Sequence, residues 1–349
     1  MRRVIALACL ALAAVGCGRP TPGPAAAGVR LSGGGATFPY PLYSRWLSEY
    51  QKVAPGVRIE YQSIGSGGGI QQLKAGTVDF GASDTPLDDR EAKAMPRPVI
   101  HLPGAAGAVA IIYHLPSVTG ELRLTGEALA AIYLGQLKRW NAPELVRLNP
   151  GVTLPDLPIA VAHRSDGSGT TAIFSRFLAA MSKDWAARVG TGKSLDWPVG
   201  IGAKGNEGVS GLVKQTPGAI GYVELTYAIQ NRLPTAAVRN AAGRFVAPDI
   251  RSISAAASAG AEAMVEDIRA SIVNSPAPEA YPICGFTYLL VYQQQTDPAK
   301  GEALVRFLRW AIHEGQQFAE PLHYAPLPPE VVALNDAALA TINIPRTDR

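Results

Sequence analysis

The sequence predicts an α/β fold in which mainly parallel sheets are flanked by helices. Segments with the period of a strand alternate along the chain with segments that have the period of a helix, and this order favours parallel sheets covered on both faces. The length of 349 residues favours two lobes over one. Hydrophobic residues make up 47% of the chain and charged residues 17%, a balance that excludes a disordered protein.

Four segments define the elements of the first half. Large apolar residues recur every fourth position across residues 42–50, which predicts a helix that begins near two prolines. Residues 57–62 alternate apolar and polar side chains and predict a half-buried strand. Residues 107–115 form an apolar run typical of a fully buried strand, and residues 126–137 have helical spacing.

The second half continues in the same style. Residues 157–162 predict a strand that leads through a short polar loop into a helix with its apolar face over residues 173–181. Residues 303–312 predict another amphipathic helix. The chain has no internal repeat of fixed period.

The N-terminus has the pattern of an export signal. A basic start precedes an apolar stretch, residues 4–15, that is too short to span a bilayer. Residues 14–17, AVGC, resemble a lipobox, so we expect residues 1–17 to be a lipoprotein signal peptide with Cys17 as the lipidated residue. Residues 18–29 are rich in Pro and Gly and predict a tether to the membrane. The alternative is ordinary cleavage after residues 11–13, which would leave Cys17 as a free thiol.

The cysteines and charges narrow the function further. Removal of Cys9 with the signal and lipidation of Cys17 would leave Cys284 alone, without an internal disulfide. The apolar surroundings of Cys284 favour a buried structural thiol over a nucleophile. The net charge is +4 and the basic residues are scattered, so no nucleic-acid partner is expected.

Three loops rich in Gly and hydroxyl side chains, residues 33–38, 65–69 and 166–171, each open a predicted helix. A helix N-terminus presents unpaired N–H groups and a partial positive charge, so each loop is a candidate anion cradle. The alternative is that each loop is only an N-cap and a turn.

Two charged residues, Arg164 and Asp84, sharpen this hypothesis. The planar guanidinium of Arg164 suits a tetrahedral oxyanion. Asp84 would repel a fully ionised ligand and therefore indicates a ligand with a proton to donate, as phosphate has near neutral pH and sulfate does not. The alternatives are that Asp84 caps a helix that begins near Pro86, and that Arg164 forms only a salt bridge with Asp166.

Seven stretches of the sequence resemble the phosphate-binding proteins of Pst-type ABC transporters, the PstS family. They follow the family order and span the chain from about Leu31 to the C-terminus. The stretches are GATFP (35–39), IGSGGG (64–69), VDFGASD (78–84), IYLG (132–135), RSDGSGT (164–170), GAKGN (202–206) and PGAIGYVE (217–224).

The resemblance implies a type II periplasmic-binding-protein fold with a hinged cleft between two lobes. We expect residues 30–112 and 285–349 to form lobe 1 and residues 113–284 to form lobe 2. It also implies a monomer that binds inorganic phosphate and delivers it to the membrane permease of an ABC importer, which works with a cytoplasmic ATPase. No catalysis, cofactor or metal is expected, and the location would be the periplasm or the cell surface.

Carried over residue by residue, the resemblance also implies a set of ligand contacts. The phosphate-binding residues would be Thr37, Phe38, Ser66, Asp84, Arg164, Ser168, Gly169 and Thr170. Asp166 would hold Arg164 in place without touching the ligand, and His163 is not expected to touch it.

Other functions have weaker support. Residues 200–205 match the G-x-G-x-x-G pattern, but they lack a convincing preceding strand and an acidic residue at the usual distance, so we interpret the match as a coincidence. A hydrolase that uses Ser168 with His163 is conceivable, because the same loop could stabilise an oxyanion. A receptor for sulfate, molybdate or arsenate is a closer alternative; Asp84 argues against the first two, whereas arsenate carries a proton. A structural or adhesive surface protein stays open.

Overall fold

The structure is a computed structural model that describes residues 28–346. The predicted signal peptide, Cys17 and nearly all of the predicted tether lie outside the described residues. The strands are β1 (Val29–Gly35), β2 (Val57–Ser63), β3 (Phe80–Ser83), β4 (Val99–Tyr113), β5 (Arg123–Leu124), β6 (Ala160–Arg164), β7 (Ile201–Ala203), β8 (Ala219–Glu224), β9 (Ala237–Arg239), β10 (Phe245–Val246) and β11 (Cys284–Tyr292).

Helices cover both faces of these strands. They are α1 (Tyr40–Val53), α2 (Ser66–Lys74), α3 (Asp89–Lys93), α4 (Gly126–Tyr133), α5 (Pro143–Leu148), α6 (Gly169–Met181), α7 (Lys183–Arg188), α8 (Gly205–Gln215), α9 (Leu225–Gln230), α10 (Ile250–Glu266), α11 (Pro298–Ile312) and α12 (Pro329–Ala340). Two short 3-10 helices, Glu314–Phe318 and Glu320–Leu322, follow α11.

Eight strands form one mixed sheet in the order β2-β1-β3-β11-β4-β8-β6-β7. The pairs β1–β2, β1–β3, β6–β7 and β6–β8 are parallel, as expected for strands separated by helices. The pairs of β11 with β3 and β4, and of β4 with β8, are antiparallel. The predicted α/β class with two helix-flanked halves is therefore confirmed, and β4 and β11 make its centre antiparallel.

We call β1–β3 with α1–α3 the first lobe, and β6–β8 with α6 and α8 the second lobe. Strand β4 belongs to both, because it pairs with β11 up to Ala108 and with β8 from Val109 onward. The predicted division of the chain at residues 112/113 and 284/285 stays a prediction.

Most of the predicted elements are present. Helix α1 begins after Pro39 and buries Trp46 and Tyr50, and α6 and α11 bury the predicted apolar faces. The helix predicted over residues 126–137 instead ends at Tyr133, because Gly135 adopts a positive φ of 73° that reverses the chain. Cys284 is fully buried at the start of β11, which confirms its structural placement.

The strand predicted over residues 157–162 begins only at Ala160. Its first residues bond to the segment after α4 instead: Ile159 N–H donates to the carbonyl of Lys138, and Trp140 N–H donates to the carbonyl of Leu157. Within residues 28–346, none of the helices is long and apolar enough to cross a bilayer.

Candidate functional site

Three helix N-termini meet between the lobes. Helix α2 begins after Gly65, whose φ of 90° is readily adopted only by glycine, and α6 begins after the N-cap Ser168. Helix α1 begins just after the turn that contains Thr37 and Phe38. The glycines of residues 33–35 lie in β1 rather than in a loop. The loops at residues 65–69 and 166–171 therefore stand at helix starts as the sequence predicted, whereas only residues 36–38 of the first predicted cradle lie in the turn before α1.

The α2 and α6 starts contact each other directly. The Ser66 hydroxyl oxygen accepts hydrogen bonds from the N–H groups of Gly169 at 3.1 Å and Asp84 at 3.2 Å. The N–H of Gly67 donates to the carbonyl of Gly167 at 2.8 Å. These bonds join the two lobes at the predicted site.

Asp84 lies between these helix starts and is only 3% exposed. Thr287 Oγ1 donates to its Oδ1 at 3.1 Å, and Ser66 Oγ lies 3.4 Å from its Oδ2. Burial raises the pKa of Asp84 to about 7, against the opposing charges of Arg164 and Lys193 and the hydrogen bonds from Thr287 and Ser66. The carboxyl group can therefore exchange a proton near neutral pH.

The capping role considered for Asp84 is wrong. Helix α3 begins at Asp89, and its N-cap is Asp88, whose side chain accepts the N–H of Glu91 at 2.7 Å. Asp84 instead directly follows β3, and its carboxyl group contacts Ser66 and Thr287.

Arg164 ends β6 and is buried beside α6. Its Nε donates to Asp166 Oδ1 at 2.8 Å and its Nη2 to Oδ2 at 2.5 Å, while Nη1 lies 3.4 Å from Thr170 Oγ1. The salt bridge considered as an alternative is thus present. It occupies one edge of the guanidinium and leaves Nη1 facing α6, which is compatible with an anion contact.

Hydrogen bonds from Arg164 and Gly205 keep the side chain of Asp166 ionised and in place. Burial alone would raise its pKa, but the hydrogen bonds and charge of Arg164 and the N–H of Gly205 together lower the pKa below its ordinary value. Gly205 N–H donates to Asp166 Oδ1 at 3.0 Å. Asp166 therefore stays ionised and fixes the orientation of Arg164.

Thr37 is connected to the second lobe through Asn206, a residue that the sequence did not single out as functional. The Asn206 side chain donates to Thr37 Oγ1 at 2.7 Å and lies 3.4 Å from Thr170 Oγ1, and its backbone N–H also donates to Thr37. Because the Thr37 oxygen accepts both bonds, its own O–H is oriented away from Asn206.

Phe38 can contribute only backbone atoms to this site. Its ring is fully buried against Tyr324, and a Cβ at Gly107 would lie 2.6 Å from it.

Ser168 caps α6 by accepting the N–H of Thr171 at 3.0 Å, and its own N–H donates to the carbonyl of Lys193 at 2.8 Å.

Thr287 is the second contact that sequence reasoning missed. It is the only serine or threonine in the fully buried strand β11, whose other residues are glycine, cysteine, aromatic or aliphatic. A polar side chain in such a strand needs a partner, and this requirement was the available signal. Asn206 carried no comparable signal, because the positive φ of Gly205 at the start of α8 is visible only in the structure.

His163 lies outside this group of contacts. Its ring stacks on Trp197 with centroids 4.7 Å apart, and its Nδ1 lies 3.1 Å from the carbonyl of Arg164. The Ser168 oxygen is bonded to its own helix rather than to this ring. The pairing of Ser168 with His163 that a hydrolase would need is therefore not formed.

Comparison with known proteins identifies the family. A family model described as a PBP superfamily domain matches residues 21–314. The chain is 45% identical to the phosphate-binding protein PstS of Xylella fastidiosa (strain 9a5c) over 314 residues, which cover 90% of this chain and 85% of that relative. It is 42% identical to the phosphate-binding protein PstS of Pasteurella multocida, over 86% of this chain and 87% of the relative.

Solved structures share the fold. A high affinity periplasmic phosphate-binding protein (PfluDING) bound with phosphate superposes with a TM-score of 0.70 at 23% identity, over 91% of this chain and 100% of that one. A phosphate binding protein from Stenotrophomonas maltophilia gives a TM-score of 0.67 at 18% identity, over 89% and 93% of the two chains. The family model and the two PstS relatives establish that the chain belongs to the PstS family of the PBP superfamily, a family of solute-binding proteins rather than enzymes.

Proposed function

We propose that this protein binds inorganic phosphate between its two lobes. The observation that carries the proposal is Asp84, a buried proton acceptor placed among groups that otherwise favour an anion. The N-termini of α2 and α6 and the charge of Arg164 attract an oxyanion. Asp84 would accept the hydroxyl of that oxyanion, so the ligand must carry a proton.

The proposed contacts are those predicted from the sequence. They are Thr37, Phe38, Ser66, Asp84, Arg164, Ser168, Gly169 and Thr170, with Asp166 orienting Arg164. Sulfate has no proton at neutral pH, so it would leave the buried Asp84 without a partner. A site built around a ligand hydroxyl rejects an analogue without it by on the order of 10⁴–10⁵.

The same contacts support a transport role. Ser66 of the first lobe and Gly169 of the second lobe are bonded, so a ligand enclosed there would be released only when the lobes separate. Family membership and the two relatives named PstS support delivery to the permease of an ABC importer, powered by a cytoplasmic ATPase.

The anchor, the location and the monomeric state belong to the proposal as well. The lipobox-like residues 14–17 and the Pro- and Gly-rich residues 18–29 support a lipid-anchored protein at the periplasmic or outer face of a membrane. Labelling with a radioactive fatty acid tests this, since the label should disappear in Cys17→Ser.

Calorimetric titration at neutral pH tests which oxyanion the protein binds. The protein, freed of phosphate by unfolding and refolding, should bind phosphate one to one and show no heat with sulfate, and arsenate should compete. Arg164→Ala should lose phosphate binding. Arg139→Ala is a matched control, because Arg139 is exposed and paired with Asp156. Equal binding of phosphate and sulfate, or normal binding by Arg164→Ala, would refute the proposal.

A further inference from the structure

Two tyrosines hold consecutive carbonyl groups at the start of α1. Tyr227 Oη donates to the carbonyl of Thr37 at 2.6 Å, and Tyr324 Oη lies 2.7 Å from the carbonyl oxygen of Phe38. In a trans peptide the N–H points opposite to the C=O of the same unit. The bond from Tyr227 therefore sets the direction of the Phe38 N–H, and the contact with Tyr324 fixes the next peptide unit.

Tyr324 has one hydroxyl proton but two oxygen neighbours. Besides the Phe38 carbonyl at 2.7 Å, Oε2 of Glu224 lies 2.9 Å from the same hydroxyl oxygen. A carbonyl oxygen can only accept, so the tyrosine proton belongs to the bond with Phe38. The second short contact then needs a proton from Glu224.

The surroundings of Glu224 favour a neutral acid. Its side chain is fully buried at the end of β8, and burial raises its pKa well above the ordinary value. Thr226 N–H donates to Oε2 at 2.9 Å, but the Thr226 hydroxyl donates to the carbonyl of Leu322 at 2.5 Å and lies 3.4 Å from Oε1. One N–H is too little to stabilise a buried carboxylate.

The charged groups near Glu224 also favour its neutral, protonated form. Within residues 28–346, no Lys, Arg or His nitrogen lies within 4.0 Å of its carboxyl oxygens. Asp84 opposes its ionisation, and the neighbouring Tyr227 and Tyr324 remain neutral because burial raises their pKa values. The charge of Glu207 also raises the pKa of Tyr227, whereas the charge of Arg164 lowers it.

We propose that Glu224 is a protonated carboxylic acid that donates to Tyr324 and, through it, holds the Phe38 carbonyl, so that Glu224 is a positioning residue for the α1 end of the anion site. The backbone N–H of Glu224 adds to this role, because it donates to Asn206 Oδ1 at 3.0 Å, and Asn206 in turn holds Thr37. The proposal rests on the proposed phosphate site for its functional consequence, but the protonation state stands independently of it.

Infrared difference spectroscopy tests the protonation state without any ligand. The spectrum of the wild-type protein minus that of Glu224→Gln at neutral pH should contain the C=O band of a protonated carboxylic acid. Asp84 contributes equally to both samples and cancels. A difference spectrum with carboxylate bands in place of that band would overturn the proposal, whether or not phosphate binds.

Phosphate titration tests the positioning role. Glu224→Gln should bind phosphate within about threefold of wild type, because the amide can still donate to Tyr324, whereas Glu224→Ala should lose about tenfold, the effect of one buried hydrogen bond. Tyr324→Phe should lose a similar factor and serves as the second variant if Glu224→Ala does not fold. Equal losses in Glu224→Gln and Glu224→Ala, or unchanged affinity in Tyr324→Phe, would refute the role. Absence of phosphate binding by wild type would refute the proposed function instead and leave the infrared result intact.

Discussion

The N–H of Gly169 and the hydroxyl oxygen of Ser66 are 3.1 Å apart, and this bond joins the second lobe to the first. It forms between two helix starts, α6 and α2, so it brings two partial positive charges together. Such an arrangement attracts an anion to the two helix starts, and Asp84 is adjacent to them. The contact itself depends on the small size of Gly169.

The close approach leads to a steric prediction for Gly169→Ala. A Cβ atom at this position would lie 2.5 Å from Ser66 Oγ and 2.6 Å from Asp84 Cβ, so the lobes could not meet as they do. Overpacking of this kind costs about 1–3 kcal/mol, which corresponds to a loss in phosphate affinity of about 5- to 150-fold. Calorimetric titration with phosphate measures the loss.

Gly211→Ala is the control for this substitution. Gly211 lies inside α8, and a Cβ there would meet nothing within 4 Å. We expect unchanged phosphate affinity and a gain in stability of about 0.5–1 kcal/mol. Normal phosphate binding by Gly169→Ala would show that the lobes close differently.

Asp84 makes the stability of the closed protein depend on pH. Its pKa is raised by burial from 3.8 to about 7, so the neutral form favours the folded state. This contribution is complete below about pH 4 and is lost as the pH rises to about 7. Asp84→Asn removes the effect, and in phosphate-free buffer the variant should be more stable than wild type at pH 8 by on the order of 1–4 kcal/mol.

Thermal unfolding of both proteins at pH 4 and pH 8 measures this difference. The two melting temperatures should nearly coincide at pH 4 and separate at pH 8, with the variant higher. A variant that is less stable than wild type at pH 8 would mean that the folded protein stabilises Asp84 as a carboxylate, which would contradict the pKa of Asp84 being raised by burial.

Lys193 forms a further connection between the lobes, an ion pair with Glu91. Its Nζ lies 2.8 and 3.0 Å from the two carboxylate oxygens of Glu91 in α3, and the two side chains are 15% and 22% exposed. The Lys193 carbonyl accepts the N–H of Ser168, so the ion pair anchors the segment that supports the site. A partly buried pair contributes about 1 kcal/mol, and Lys193→Met should weaken phosphate binding about fivefold, mainly by faster dissociation.

Stopped-flow measurement of phosphate release tests this prediction at low and high salt. The difference between wild type and Lys193→Met should shrink as salt screens the pair. Lys52→Met is the control, since Lys52 pairs with Glu49 inside α1 and is 68% exposed. A slower release of phosphate from Lys193→Met would contradict the proposal that the ion pair of Lys193 with Glu91 holds the lobes together.

Sequence reasoning found those parts of the site whose chemistry is visible in a short stretch. The glycines of residues 65–69 and the pairing of Arg164 with Asp166 are local features, and the structure places them as expected. Asn206 and Thr287 were missed because their partners, Thr37 and Asp84, are 169 and 203 residues away along the chain. A local pattern can indicate that a polar side chain needs a partner, as for Thr287, but not which distant residue that partner is.

The same limit applies to the fold: elements with a regular pattern were predictable, and pairings between distant strands were not. Periodicity gave α1, β2 and α11 because each buries one regular face. It did not give the insertion of β11 between β3 and β4, which depends on tertiary pairing across nearly two hundred residues.

Thr287 provides a final test of the proton-acceptor role. Its hydroxyl donates to Asp84 Oδ1 at 3.1 Å and so favours the charged carboxylate. In Thr287→Val this bond is lost, the pKa of Asp84 should rise further, and less carboxylate is available at pH 7 to accept the ligand proton.

We therefore expect Thr287→Val to bind phosphate about tenfold more weakly at pH 7, the effect of one hydrogen bond to a charged group, with affinity recovering as the pH rises towards 9. Thr287→Ser keeps the hydroxyl and should retain the wild-type pH profile, which separates the lost bond from a general effect on packing in β11. Calorimetric titrations across this pH range measure both profiles. If Thr287→Val is equally weak at every pH, the loss arises from packing, because a shift in the pKa of Asp84 must become smaller once the carboxyl group is ionised in both proteins.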